Sequence, residues 1–350
     1  MKGAYPGITL ELSSGKTTVV ELRKVLVTGG AGFIGSNFVR RSLSAHPQWE
    51  ITVLDKLSYA GSLDNLAGCM DQIRFLRGDI TDEAAVREAM AGADAVINFA
   101  AESHVDRSLE DPRPFLRSNV EGVLVLLEEA RRVGLPRFLQ VSTDEVYGDV
   151  AGSEGLSGEG DPLRPRSPYA ASKAAAEHLV LAYAASYGLD AVLTRGSNTY
   201  GPHQYPEKII PLFITRALSG QSLPVYGDGS AVRDYLHVLD HCSGIDLVLH
   251  RGESGQIYNL GARSQVSGLE VAERILEILG KPQDLIAFVE DRPGHDYRYA
   301  VDPTRAEELG WHREYQFANG LAGTVQWYQG RLATGSGFTV ESAPWGRVRS

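Results

Sequence analysis

Short apolar runs alternate with longer amphipathic stretches along the first two thirds of the chain. The runs at residues 24–28, 50–54, 73–76, 95–99 and 138–141 are rich in β-branched residues and have the length of buried strands. Helical patterns follow them, among them residues 36–43, 113–133 and 169–187. This alternation predicts an α/β fold with a doubly wound parallel sheet and right-handed crossovers.

The pattern changes after residue 198, where Gly and Pro become frequent and the β-α rhythm ends. We expect a dinucleotide-binding domain over residues 24–198, to which the chain returns at about 230–255. Residues 199–229 and 256–332 then form a smaller, mixed substrate lobe. Residues 1–23 are expected to be an N-terminal extension and residues 333–350 a polar tail.

Composition excludes several functions. The net charge of −10 over 350 residues argues against a nucleic-acid or anionic-membrane partner. Cys69 and Cys242 show no metal-ligand spacing, so we expect no metal site and a reducing, cytoplasmic location. Neither a signal-peptide core nor an apolar run of about 18 residues occurs, so no membrane association is expected.

A glycine-rich turn follows the first strand, in the order Gly29-Gly-Ala-Gly-Phe-Ile-Gly35. Glycines there let the backbone approach a pyrophosphate, which the N-terminus of the next helix attracts. The second strand ends in Asp55, where a carboxylate accepts hydrogen bonds from both ribose hydroxyls and repels a 2′-phosphate. The pattern therefore favours NAD over NADP, with Lys56 as a mild complication.

Polar residues stand at the ends of later strands, where open parallel sheets bind ligands. Thr143, Asp144 and Glu145 deliver a hydroxyl and two adjacent carboxylates after the fifth strand. Asp79 is suited either to the adenine amino group, with Ile80 packing the ring, or to capping the next helix.

Tyr169 and Lys173 are four residues apart on a predicted helix, so they share one face. A free tyrosine has a pKa near 10 and is a poor base at neutral pH. A neighbouring ammonium and a positive nicotinamide ring would lower that pKa, which would let Tyr169 take the proton of a sugar hydroxyl as hydride leaves.

These motifs resemble the extended short-chain dehydrogenases/reductases that act on sugar nucleotides, and within them the dTDP-glucose 4,6-dehydratases. The resemblance covers roughly residues 24–330. It rests on residues 100–108 (AAESHVDRS), 143–148 (TDEVYG), 201–208 (GPHQYPEK) and 292–296 (RPGHD). Related epimerases and decarboxylases share the tyrosine and lysine but usually lack the Asp-Glu pair.

The resemblance implies NAD-dependent dehydration of dTDP-glucose to a 4-keto-6-deoxy sugar, with Asp144 as acid and Glu145 as base; the sequence by itself leaves those two roles interchangeable. Implied catalytic residues are Thr143, Asp144, Glu145, Tyr169 and Lys173. Implied cofactor contacts are Tyr169 and Lys173 with Gly29, Gly32, Phe33, Ile34, Gly35, Asp55, Lys56, Leu57, Ser58, Asp79, Ile80, Ala100, Ala101, Glu102, Ser118 and Thr199. Implied substrate contacts are Ser103, His104, Thr143, Asn198, Lys208, Ile209, Pro224, Tyr226, Arg233, Arg292, His295 and Tyr299.

Gly268 departs from the pattern, since the resembled family usually has Asn there against the nucleotide; this affects the preference for thymine or uracil. Two alternatives remain open, a UDP-glucuronate decarboxylase or UDP-sugar 4-epimerase on the same fold, and a non-catalytic NAD-binding sensor. The resemblance also implies a homodimer through the helices at 113–133 and 169–187, although an apolar face there could equally bury within one monomer.

Overall fold

The computed structural model describes residues 22–150, 155–291 and 296–333. The predicted N-terminal extension, apart from its last two residues, and the tail beyond residue 333 lie outside the described residues. Arg292 and His295, which we predicted to bind substrate, also lie outside them.

A seven-stranded parallel sheet forms the centre of the large domain and confirms the predicted doubly wound fold. Its strands lie in the order β3-β2-β1-β4-β5-β6-β10. They are β1 (Lys24–Thr28), β2 (Glu50–Asp55), β3 (Ile73–Arg77), β4 (Ala95–Asn98), β5 (Arg137–Thr143), β6 (Ala191–Gly196) and β10 (Ile257–Leu260). The strand order reverses between β1 and β4, so a crevice opens there at the carboxyl ends of the strands.

Helices cover both faces of this sheet, and each face has its own apolar core. The helices along the chain to residue 187 are α1 (Phe33–Ala45), α2 (Glu83–Met90), α3 (Val105–Glu110), α4 (Arg113–Leu116), α5 (Gly122–Val133) and α6 (Pro168–Tyr187). The later ones are α7 (Ile209–Leu218), α8 (Val238–Arg251), α9 (Gly268–Leu279), α10 (Thr304–Glu308) and α11 (Phe317–Ala333).

Three sequence predictions need correction. Helix α1 begins at Phe33, three residues before the predicted start, because the glycine turn itself leads into the helix. The helix predicted at 113–133 is divided into α4, a π-helical segment at Arg117–Glu121, and α5. Strand β10, which we placed in the smaller lobe, pairs with β6 in the large sheet, a long-range contact that local pattern does not reveal.

The smaller lobe contains two short sheets around a separate apolar core. One sheet has the order β11-β9-β7, built from β7 (Asn198–Tyr200), β9 (Val232–His237) and β11 (Gln265–Ser267). The other pairs β8 (Leu223–Tyr226) with β12 (Ile286–Val289). Helices α7, α9 and α11 pack together beside them, which places this lobe over the crevice of the large sheet.

The segments that follow β5 are joined to the segment that precedes α10. Val150 N donates to Arg298 O at 3.1 Å, and Ser157 N donates to Ala300 O at 2.9 Å. Asp302 N donates back to Ser157 O at 2.9 Å. Residues 144–150, 155–157 and 298–302 therefore form one connected wall between the two lobes. Among the described residues, no helix is both long and apolar enough to cross a membrane.

Candidate active site

A cavity of about 410 Å³ lies at the carboxyl ends of the large sheet, between that sheet and the smaller lobe. Most predicted site residues meet in its wall. They are Gly29, Gly32, Phe33, Ile34, Gly35, Asp55, Lys56, Ser58, Asp79, Ile80, Ala100, Ala101, Ser103, His104, Ser118, Thr143, Asp144, Glu145, Tyr169, Lys173, Asn198, Thr199, Lys208, Ile209, Pro224, Tyr226, Arg233 and Tyr299. Leu57 and Glu102 are not part of the wall. The individual roles of all these residues stay predictions.

The glycine turn between β1 and α1 forms one end of the cavity. Gly29 has a φ of +69°, and a Cβ added there would lie 2.5 Å from the backbone nitrogen of Ala100. A Cβ at Gly35 would lie 2.3 Å from Gly29 O. Side chains are thus excluded at both positions, which leaves the backbone and the N-terminus of α1 exposed to an anionic ligand.

Asp55 holds this turn in place from the end of β2. One carboxylate oxygen accepts from Ala31 N at 2.9 Å and the other accepts from Leu57 N at 2.8 Å. Each oxygen retains a lone pair for a ribose hydroxyl. Burial raises the pKa of Asp55, and the two backbone hydrogen bonds oppose that rise. Leu57, at a φ of +56°, packs against the core and away from the cavity.

Lys56 has a structural role that the sequence did not reveal. Its Nζ lies 3.0 Å from Glu102 Oε1 and 3.8 Å from Asp79 Oδ2, and it donates to Ser118 Oγ at 3.0 Å. Carboxylates therefore surround the ammonium that follows Asp55, which disfavours a 2′-phosphate. Asp79 does not cap α2, as one alternative proposed, because Asp82 is the capping residue.

Tyr169 and Lys173 face the cavity from the first two turns of α6. The helix begins at Pro168 and is capped by Ser167, whose hydroxyl accepts from Ala170 N. Lys173 Nζ donates to Val141 O at 2.7 Å, and burial lowers the pKa of Lys173 to about 8.

The protein groups around Tyr169 raise its pKa above the ordinary value. Burial raises it, and the negative charge of Glu145 raises it further, while a hydrogen bond with Thr143 opposes the rise. Burial has this effect because the phenolate loses its hydration in this wall. The lowered pKa that we expect beside a positive nicotinamide ring stays a prediction. Glu145 and Tyr169 both line the cavity.

Thr143 ends β5, and a 3-10 turn over Asp144–Tyr147 follows at once. Thr143 Oγ1 accepts from Glu145 N at 3.3 Å and lies 3.4 Å from Asp144 Oδ1. Asp144 is 1% exposed, whereas Glu145 is half-buried. Burial raises the pKa of Asp144 well above its ordinary value, and the charges of Glu145 and Asp234 add to this. The two adjacent carboxyls thus differ in burial, and the environment of Asp144 favours its protonated form.

The polar groups of the smaller lobe are held by backbone groups. Lys208 Nζ donates to Ser103 O at 2.9 Å. Arg233 donates to the carbonyls of Val232, Asp296 and Tyr297, and its guanidinium lies 4.6 Å from the ring centre of Tyr299. Carbonyl oxygens orient these side chains at the cavity wall, where a diphosphate would meet them.

Among the wall residues that the sequence analysis did not predict are Glu207 and His241. Glu207 is buried and accepts from the Tyr59 hydroxyl at 3.0 Å; its place inside residues 201–208 was the available signal. His241 is buried behind Gly196, where an added Cβ would lie 2.4 Å from the imidazole. Its position depends on how α8 packs, so no local pattern predicts it.

A second polar cluster lies outside the cavity, where α1 meets α8. His46 Nε2 lies 2.8 Å from Asp246 Oδ1, and His250 Nδ1 lies 3.4 Å from the same oxygen. The two imidazole planes face each other at 27°, with centres 5.0 Å apart. Arg41 also lies 3.4 Å from Asp246, so this is an ion-pair cluster.

The sheet order, the glycine turn and the buried Tyr-Lys pair define a short-chain dehydrogenase/reductase. The chain belongs to the GDP-mannose 4,6 dehydratase family, whose sequence model matches residues 26–324. Low-salt glycan biosynthesis protein Agl12 of Haloferax volcanii is 51% identical over 308 residues, which cover 87% of this chain and 98% of that protein. A dTDP-glucose 4,6-dehydratase of Streptomyces niveus is 49% identical over 317 residues, covering 89% and 94%.

Solved structures agree with this assignment. DesIV, a dTDP-glucose 4,6-dehydratase from Streptomyces venezuelae with NAD and dTDP bound, is similar with a TM-score of 0.86 and 46% identity, covering 89% of this chain and 98% of that one. A UDP-glucose 4-epimerase from Thermus thermophilus in complex with NAD is similar with a TM-score of 0.82 and 36% identity, covering 88% and 99%. The fold is therefore common to dehydratases and epimerases, and the site must distinguish them.

Proposed function

We infer that this protein catalyses the NAD-dependent dehydration of dTDP-glucose to dTDP-4-keto-6-deoxyglucose. One observation carries the inference: a buried acid and a half-buried carboxylate, Asp144 and Glu145, share a cavity wall with Tyr169 and Lys173. The close relatives that carry a dehydratase name support it. An epimerase needs the tyrosine and lysine only, and a non-catalytic sensor needs neither pair.

The residues of the cavity fit NAD. The side-chain-free turn at Gly29 and Gly35 suits a pyrophosphate, and Asp55 keeps lone pairs for a ribose. When bound, NAD⁺ supplies a hydride acceptor for C4 of the sugar and a positive ring charge. That ring charge opposes the raised pKa of Tyr169, because it attracts the phenolate.

The protein groups then have distinct tasks. Tyr169, with Thr143 as its hydrogen-bond partner, accepts the proton of the C4 hydroxyl. The C4 ketone makes the C5 proton acidic, and Glu145 removes it. Asp144 donates its proton to the departing C6 oxygen, so water leaves across C5–C6. The hydride taken from C4 then returns to C6 and a proton returns to C5, which gives the 4-keto-6-deoxy sugar and leaves the cofactor oxidised again. The burial of Asp144 suits the acid role, and this chemical argument favours one of the two assignments that the sequence left open.

The direct test compares dTDP-glucose with UDP-glucose as substrates of the purified protein. We expect a 4-keto product, detected by its absorbance in alkali, from dTDP-glucose and less from the uridine compound. Formation of dTDP-galactose without a keto sugar would instead indicate an epimerase. Binding of NAD with no conversion of either sugar would support the sensor.

We also propose a homodimer and a cytoplasmic location. Helices α3 to α6 pack together and expose large apolar side chains, namely Leu109, Leu116, Leu124 and Tyr187. Leu116→Asp should therefore convert a dimer to a monomer in light scattering, whereas a wild-type monomer would refute the proposal.

Both cysteines are buried free thiols, which suits the reducing cytoplasm. Cell fractionation tests this location.

A further inference from the structure

A fully buried ion pair lies between α6 and β6, outside the residues that line the cavity. Glu177 on α6 is 0% exposed and Arg195 on β6 is 2% exposed. Arg195 Nη2 donates to Glu177 Oε2 at 2.7 Å, and its Nε lies 3.2 and 3.1 Å from the two carboxylate oxygens. Neither residue lines the cavity.

This pair touches both elements that carry the chemistry. Glu177 follows Lys173 by one helical turn on the same face of α6, and its charge opposes the lowering of the lysine pKa. Arg195 Nη1 donates to the Tyr147 hydroxyl at 2.7 Å, and the guanidinium lies 4.7 Å from the centre of that ring. Tyr147 is the last residue of the 3-10 turn that begins at Asp144.

Tyr147 is fixed at its other side as well. Its hydroxyl donates to Asn259 Oδ1 at 2.8 Å, on β10. Asn259 Nδ2 in turn donates to Ser157 O at 2.9 Å, within the wall between the two lobes. The guanidinium therefore connects α6, the catalytic turn and the seventh strand of the sheet.

Stability alone is a weak reason to bury two charges, because apolar side chains of similar volume often serve equally well. A rigid bidentate pair gives a fixed geometry instead. We propose that Glu177 and Arg195 are positioning residues that hold the turn 144–147 against α6, and so set the position of Asp144 and Glu145 relative to Tyr169. This proposal rests on the proposed dehydration.

Two variants separate positioning from folding. Arg195→Lys keeps the positive charge beside Glu177 but lacks the fork that also reaches the turn. Tyr147→Phe keeps the buried ring and the ion pair and removes only the hydroxyl. The matched control is Tyr183→Phe, which removes a hydroxyl from α6 where it binds Glu128 outside the cavity.

The measurement is a single turnover of the NAD-bound enzyme with dTDP-glucose. It follows the reduced nicotinamide, the exchange of the C5 proton with solvent deuterium, and the 4-keto product. Hydride transfer depends on Tyr169 and Lys173, whereas exchange and elimination depend on the turn. Small displacements of reacting groups cost large factors in rate, so we expect both variants to slow exchange and elimination about tenfold relative to hydride transfer.

The control should leave all three rates unchanged. Equal changes in every step, no change in any step, or a loss confined to hydride transfer would overturn the positioning role, whatever happens to thermal stability. Should Arg195→Lys fail to fold, Tyr147→Phe decides by itself. A wild-type enzyme that forms no 4-keto sugar would instead refute the proposed function, so the two failures are distinguishable.

Discussion

Asp144→Asn tests the assignment of the buried acid most sharply. Asparagine has nearly the same shape, so the substitution removes the transferable proton and little else. Asp144 is 1% exposed, so bulk water does not reach its carboxyl group to replace that proton. Thr143 and the backbone of the turn remain in place, because their hydrogen bonds do not require an ionisable side chain at 144.

The expected loss follows from this isolation. General acid–base groups contribute about 10²- to 10⁴-fold in rate. With no solvent substitute, we expect elimination to slow about 10³-fold, equivalent to about 4 kcal/mol at about 1.36 kcal/mol per tenfold. Removal of the C5 proton should persist, because Glu145 still carries it out.

The assay places the variant in deuterium oxide with NAD and dTDP-glucose. Proton NMR should show loss of the C5 signal while 4-keto-6-deoxy product fails to accumulate. Glu145→Gln is the matched control and should show the reverse: hydride transfer without C5 exchange. Dehydration by Asp144→Asn at close to the wild-type rate, or loss of C5 exchange in that variant, would refute the acid role.

The same substitution has a pH signature in stability. The folded pKa of Asp144 is raised above the unfolded value near 3.8, so wild-type stability falls as pH rises above about 4. The asparagine side chain of the variant does not titrate, so the variant should become more stable relative to wild type over that range. Thermal denaturation between pH 4 and 8 measures it, and a difference that does not vary with pH would contradict the raised pKa.

Three further predictions concern separate parts of the site. Lys173→Met should slow hydride transfer about 10²-fold, as measured by single-turnover absorbance. Because the pKa of Lys173 is lowered from 10.5 to about 8, the wild-type protein should gain stability relative to this variant as the pH rises from about 8 to 10.5. A stability difference that changes in the opposite direction would contradict burial of the ammonium. Gly35→Ala should destabilise the turn by about 1–3 kcal/mol and release NAD during gel filtration, whereas Gly323→Ala, with nothing within 4 Å, should do neither. Gly268→Asn should fit sterically, since the added Cβ would lie 3.5 Å from Ile209 Cδ1 and 3.8 Å from Gly229 O. We expect this variant to bind dTDP more tightly in calorimetry. Unchanged affinities for dTDP and UDP would show that residue 268 does not contact the nucleotide base.

Much of this site follows from local sequence because its groups stand at strand ends. A strand that ends in Thr143 must deliver the next two residues to the carboxyl edge of the sheet. Tyr169 and Lys173 share one face of a helix because they are four residues apart. Gly29 and Gly35 belong to one tight turn, which has no room for a side chain at either position. These positions depend on neighbours within a few residues, which is the range over which pattern is informative.

What the sequence did not reveal depends on distant partners. In the sequence, Lys56 is a cation next to Asp55 that could weaken the preference for NAD. In the structure it contacts Asp79, Glu102 and Ser118, which lie on three different segments of the chain. The raised pKa of Tyr169 likewise reflects burial by the whole wall. Strand β10 joins the sheet beside β6 across about sixty residues of sequence, a pairing decided by packing of the finished fold.

Oxidation and elimination are carried on different pieces of chain: α6 holds the tyrosine and lysine, and the short turn after β5 holds the two acids. A lineage could therefore acquire or lose dehydration by rewriting the four residues of that turn, with the redox half left intact. Water loss is thus assigned to a short segment that is separate from the helix of the sugar oxidation.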